Sequence, residues 1–185
     1  LSYCEMNIIS HNAFIGLSNL NELNFIGNRI FEIDLDVFNC LYNLEKLDLS
    51  DCKIKNISRD AFIGLSKLKE LNMSSNEIDL INSNAFKGLN NLEKLDLSFC
   101  EINEISRDAF ICLSKLKELN MSRNQIAMID SKIFKDLYNL EKLNLSFCRI
   151  NVIKNDAFFG LSNLNELNII WNKISKIYSN IFKGL

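Results

Sequence analysis

Six cysteines and a single histidine are the side chains of this 185-residue chain with obvious reactive potential. Four of the cysteines, Cys4, Cys52, Cys100 and Cys148, return every 48 residues inside the tetrapeptides LSYC, LSDC, LSFC and LSFC. Thiols repeated in this way could crosslink, hold zinc or attack an electrophile, and each chemistry makes its own geometric demand. A disulfide needs Cα atoms about 4.4–6.8 Å apart. A shared zinc ion needs sulfurs about 2.3 Å from one metal. A nucleophilic thiol needs a base within hydrogen-bond reach. The outcome depends on where a 48-residue step brings the chain back.

The bulk composition narrows the field first. Lys and Arg number 21 against 23 for Asp and Glu, a formal net charge of −2. Such a balance provides no basic field for a phosphate backbone, so no nucleic-acid partner is expected. No apolar run approaches the roughly 20 residues needed to cross a bilayer, so no membrane contact is expected within this segment. Pro and Thr are absent while Asn, Ile, Leu and Phe abound, a skew that suggests a repeated unit.

The unit is 24 residues long. Leu20, Leu44, Leu68, Leu92, Leu116, Leu140 and Leu164 keep that interval without a slip. Phe14 to Phe182, Leu17 to Leu185 and Ile9 to Ile177 keep it as well. Each unit reads L-x-x-L-x-L-x-x-(N/C)-x-I-x-x-I-x-x-x-x-F-x-x-L-x-x. A second period lies over the first: residues 57–78 recur at 105–126 with 19 of 22 positions identical. The duplicated block is therefore 48 residues, a pair of units. The L-x-L segment alternates with period two, as a strand with one buried face does, and each return sets a strand about 4.8 Å from its predecessor.

This pattern resembles the leucine-rich-repeat family, in its 24-residue typical class, over the whole chain. The resemblance implies an α/β solenoid: a curved horseshoe segment with a parallel concave sheet and an irregular or short-helical convex side. Residues 1–185 are expected to form a single array of about seven to eight repeats. The chain begins and stops inside a unit and shows no capping segment, so it is expected to be an uncapped fragment of a longer protein.

The stacking answers the cysteine question. Like positions two units apart lie about 10 Å from each other at about 4.8 Å per strand, too far for a disulfide or a shared zinc ion. Cys40 and Cys112 stand three units apart. Six free thiols are expected, with no metal and no cofactor. The one histidine, His11, lies on the convex-side segment, so no thiol gains a base and no catalytic residue is expected. The ninth position of the unit alternates Cys4, Asn28, Cys52, Asn76, Cys100, Asn124, Cys148, Asn172. In the resembled family it is usually Asn, whose amide serves backbone groups where the strand leaves the sheet. Cysteine is a small, mostly apolar filler with a weak S–H donor, so every second rung is expected to be weaker.

Two surface patterns remain. Glu45-Lys46, Lys69-Glu70, Glu93-Lys94, Lys117-Glu118 and Glu141-Lys142 swap sign from strand to strand, which predicts a self-neutralised ladder fixing the register rather than a charged ligand platform. The eighth position varies instead: Tyr3, Gly27, Asp51, Ser75, Phe99, Arg123, Phe147, Trp171. Phe99, Arg123, Phe147 and Trp171 fall on consecutive strands, a column about 15 Å long at three strand steps. Ile170 and Ile26 replace serine at position seven, and Ile170 adds apolar surface beside Trp171. Aromatic residues and arginine are the usual anchors of protein interfaces. The column is either a contact surface or a set of rings folded over the neighbouring turns, and the sequence leaves both open. N-x-S sequons stand at Asn56, Asn72, Asn120 and Asn144.

The resemblance extends to Toll-like receptor ectodomains and related extracellular proteins. It implies a non-catalytic recognition segment for a protein or pathogen-pattern ligand, with Phe99, Arg123, Phe147, Ile170 and Trp171 as its candidate contacts. The implied parent is extracellular or at the cell surface, with membrane anchoring and signalling outside this stretch. The alternative is a cytoplasmic scaffold or inhibitor with reduced cysteines.

Overall fold

The computed structural model describes Leu1–Leu185 as a solenoid that makes one turn per 24-residue unit. Thirteen short strands alternate between its two sides. On the concave side run β1 (Glu22–Asn24), then, after each intervening flank strand, β3 (Lys46–Asp48), β5 (Glu70–Asn72), β7 (Lys94–Asp96), β9 (Glu118–Asn120), β11 (Lys142–Asn144) and β13 (Glu166–Asn168). All seven are parallel and pair in that order, and the register advances by one unit, so Leu47 lies opposite Leu71 and Leu71 opposite Leu95. The flank strands are β2 (Glu32–Ile33), β4 (Asn56–Ile57), β6 (Leu80–Ile81), β8 (Glu104–Ile105), β10 (Met128–Ile129) and β12 (Val152–Ile153). They pair only two by two, β2 with β4, β6 with β8 and β10 with β12. The 48-residue period of the sequence thus reappears as a broken second sheet.

The convex side contains no helix, where the sequence allowed irregular or short-helical structure. Successive turns close by i to i+3 hydrogen bonds, such as Ala61 N–H to Ser58 C=O (3.1 Å), Ile63 to Asp60 (3.1 Å) and Leu65 to Phe62 (3.2 Å). Left-handed residues break any longer run: Asp36, Asp60, Asn84 and Asp156 have φ of 58–67° two positions before their Phe. Gly64, Gly88 and Gly160 follow two positions after it with φ of 97–101°. At Gly160 a Cβ would lie 2.5 Å from the Lys135 carbonyl oxygen, so the glycine also admits the previous turn's backbone.

The core lies between the two sides. Successive phenylalanine rings from Phe14 to Phe182 stack with centroids 5.8–6.4 Å apart, a continuous aromatic spine whose members from Phe38 to Phe158 are buried. In the last turn the same positions open to solvent: Phe182 is 43% exposed and Ile177 59%, against 0% for Phe158 and 2% for Ile153.

The ninth-position rungs seal the corner where each strand leaves the sheet. Asn76 accepts from the amides of Cys52 (3.1 Å) and Ile54 (2.9 Å), and donates to the carbonyls of Leu49 (2.9 Å) and Met73 (2.8 Å). One side chain therefore serves two turns. Cysteine serves fewer groups. Cys52, Cys100 and Cys148 aim their thiols at the carbonyls of Phe25 (3.2 Å), Met73 (3.3 Å) and Met121 (3.0 Å). They leave the buried amides of Ile30, Ile78 and Ile126 without a hydrogen-bonding acceptor. All six cysteines are free. Burial raises the pKa of Cys52 and Cys148, and pushes Cys100 up to about 11, against the counteracting backbone N–H of the preceding Asn rung. The buried thiols therefore stay protonated and keep their donor at neutral pH.

The rungs should be unequal when cut. Asn76→Ala orphans three buried backbone groups, the amides of Cys52 and Ile54 and the carbonyl of Leu49, and is expected to lose about 3–5 kcal/mol, while Cys100→Ala loses about 1–2 kcal/mol. Urea denaturation of the two variants measures the ratio, and equal losses would contradict the ladder.

Candidate recognition surface

Every eighth-position residue is left-handed. Tyr3, Asp51, Ser75, Phe99, Arg123, Phe147 and Trp171 have φ of 53–58°, and Gly27 has 73°. This one inverted residue lets the ninth side chain point into the core, and it throws the eighth side chain out to solvent. Glycine or asparagine adopts that conformation at least expense. A bulky ring there is an outlier, each holding about 1–2 kcal/mol of backbone strain. Tyr3, Phe99, Phe147 and Trp171 accept that strain in a chain that uses Gly27, Asp51 and Ser75 at the same place on the intervening turns.

The four predicted column residues meet. The Arg123 guanidinium lies 4.9 Å from the Phe99 ring centroid and 4.5 Å from that of Phe147, sandwiched between them. Phe147 in turn stacks on Trp171 at 5.7 Å and 13°. The result is a continuous ring, cation, ring, ring stack along one rim of the sheet. The two readings of the sequence combine here, since the rings pack on each other yet stay open: Phe99 is 55% exposed, Phe147 37% and Trp171 74%. Ile170 is exposed beside Trp171, whereas Ile26 lies at the opposite end of the array and half-buried. Elsewhere position seven is a serine tied down by position five, as in Ser98, whose amide (2.8 Å) and hydroxyl (2.6 Å) both donate to Asp96. Ile170 keeps only the amide bond, to Asn168 (3.2 Å), and turns its side chain outward.

On the concave face proper every lysine is paired with a glutamate of a neighbouring strand. Lys69 pairs with Glu45 (2.9 Å) and Lys117 with Glu93 (2.8 Å). Lys46 lies between Glu22 and Glu70, and Glu118 between Lys94 and Lys142. The hydrogen bond from Lys117 holds the Glu93 pKa below its ordinary value, while donating to Glu45 and Glu93 raises those of Lys69 and Lys117. The expected register ladder is present. Three of the four sequons are absorbed into the same face. Asn72 and Asn120 donate to Asp48 and Asp96, and Asn72, Asn120 and Asn144 each accept from the serine two residues on. Asn56 alone is exposed, on β4.

Sequence reasoning missed the sandwich around Arg123, because nothing in the pattern specifies that a guanidinium will lie flat between rings one strand away on either side. The signal was available in one respect: aromatic, cation, aromatic at intervals of 24 is the order that stacking requires.

The leucine rich repeat family profile matches residues 1–54, 42–102, 77–126, 91–150, 114–174 and 138–185, which together run the length of the chain. The chain belongs to the leucine-rich-repeat family. Among solved structures this leucine-rich-repeat array is similar to a chain in a crystal structure of a TLR13–ssRNA13 complex, at 32% identity and a TM-score of 0.91. The match covers 95% of this chain and 25% of that one, so the array spans about a quarter of the Toll-like chain it resembles. No curated protein matches it. Leucine-rich-repeat solenoids of this Toll-like kind typically serve as binding modules, which accords with an exposed stack and gives the array a recognition role.

The stack is expected to contribute little to folding. Replacing Phe147 and Trp171 together by Ala should lower stability by about 1–2 kcal/mol, the scale of exposed ring and cation–π contacts, whereas Phe110→Ala in the spine should lose about 3–5 kcal/mol. Thermal melts of both variants make the comparison, and a loss from the rim pair matching that of Phe110→Ala would make the column structural.

Proposed function

We propose that this array is a non-catalytic recognition segment that binds a protein partner through the rim column of Phe99, Arg123, Phe147 and Trp171, extended by Ile170. The observation that carries this reading is the stack itself: large rings and a guanidinium exposed together on four consecutive turns, in a backbone conformation unfavourable to them, where Gly27, Asp51 and Ser75 stand on the three turns before. Strain of this kind persists where the side chain has a use. Exposed aromatic residues and arginine side by side form the composition of interface hot spots. The lysines of the neighbouring concave face are engaged in its own ion pairs, so the rim offers the cationic and aromatic anchors. Under this reading the array belongs to a longer receptor or adhesion-type protein, extracellular or at the cell surface, with anchoring and signalling in other segments. Its similarity to the chain of the TLR13 complex supports that assignment, and leaves a pathogen-pattern ligand as the companion possibility to a protein.

A second reading rests on the thiols. Six free cysteines, three of them buried at structural rungs, suit a reducing compartment, which would make the array an intracellular scaffold or inhibitor. The rim column would serve either protein.

A randomised dodecamer peptide library displayed on phage tests the site. Selection on the wild-type array, followed by binding to the Phe147→Ala/Trp171→Ala variant, should yield peptides that lose at least tenfold in affinity on the variant. Enriched peptides that bind both proteins equally would reject the column as the recognition site.

A further inference from the structure

The rim stack carries more chemical information than its aromatic content, and the argument that follows rests on the column being the binding site. Both faces of the Arg123 guanidinium are covered by Phe99 and Phe147, but its edge, where the N–H donors lie, forms no ion pair or hydrogen bond with the protein. A stacked guanidinium with free edges is held in one plane and is ready for a planar, bidentate acceptor. Beside it runs a shallow groove shared by Phe99, Glu101, Arg123, Gln125, Phe147 and Arg149. Arg149 likewise forms no ion pair; of the carboxylates that line the groove, Glu101 lies on this stretch between Phe99 and Arg123, and Asp51 and Glu77 lie at the far end beside Lys53.

The internal duplication gives an independent view of the same groove. Residues 57–78 and 105–126 differ at only three places, Gly64 against Cys112, Ser75 against Arg123 and Glu77 against Gln125. Two of the three face this groove. In the earlier copy Glu77 pairs with Lys53 (3.8 Å) and Lys55 (3.4 Å), so that end is neutralised. In the later copy an arginine has appeared and the carboxylate two residues on has become an amide. The paired change adds a positive charge and removes a negative one at one place.

We infer that the groove beside Arg123 receives a carboxylate, an Asp or Glu side chain of a protein partner, gripped in the guanidinium plane while Phe147 and Trp171 take adjoining apolar residues. A protein acid is favoured over a phosphate backbone because the site presents two arginines in a chain of net charge −2, not the row of cations that a polyanion requires.

The test uses peptides enriched from the dodecamer library and a 13-nucleotide oligouridylate. The key variant is Arg123→Ser/Gln125→Glu, which restores the residues of the twin repeat and so uses side chains this backbone already accommodates. Column-dependent peptides should share an Asp or Glu whose change to Asn or Gln weakens binding at least tenfold to the wild type and less than twofold to the variant. Column-dependent peptides with no acidic requirement would overturn the inference and leave the recognition site standing. An absence of column-dependent peptides would overturn both. Oligouridylate binding that vanishes in the variant would overturn it in favour of a phosphate ligand.

Discussion

Every turn of this solenoid must bend its backbone out of the concave sheet, and the peptide groups at that bend are buried with no strand to pair with. The ninth-position rung resolves this. An asparagine from the next turn inserts its amide and joins two amides and two carbonyls across neighbouring units. A buried polar group without a partner is destabilising on the scale of a whole hydrogen bond or more, so the corner would not hold its shape unfilled. The alternation of Asn with Cys divides the array into strong and weak corners, and the flank strands pair two by two with the same 48-residue period.

The rung and the rim are two sides of one conformational event. For residue nine to point inward directly after residue eight, residue eight turns left-handed and its side chain is expelled. The exposed file is therefore a by-product of core architecture, free to vary in a chain that otherwise repeats. Stacking at the spacing of parallel strands then turns four consecutive variable residues into one surface. Structure and recognition are connected at adjacent residues, as in Phe99 and Cys100 or Arg123 and Asn124.

The period, the strand positions, the Phe spine and the charge ladder were all legible in the sequence, because each follows from a strict interval and from side chains that have one comfortable environment. The rim residues were legible as a file but not as a stack. Whether Arg123 lies between rings depends on rotamers and on the outward tilt of the left-handed residue, which residue identity does not specify. The pairing of β2 with β4 and β6 with β8 was hidden too, since the flank isoleucines return every 24 residues and the 48-residue period does not say which neighbours pair. Of the irregular or short-helical convex side that the sequence allowed, the irregular form is present, because the left-handed Asp60, Asn84 and their counterparts end each turn before a helical bond can form.

Native-state hydrogen exchange tests the corner directly. The amides of Ile54 and Ile102 are bonded to Asn76 (2.9 Å) and Asn124 (3.0 Å), whereas those of Ile78 and Ile126, equally buried, face cysteine rungs and have no acceptor. Protection should alternate along Ile54, Ile78, Ile102 and Ile126, with the asparagine-served amides exchanging at least about tenfold more slowly. Uniform protection across the four would contradict the alternating ladder.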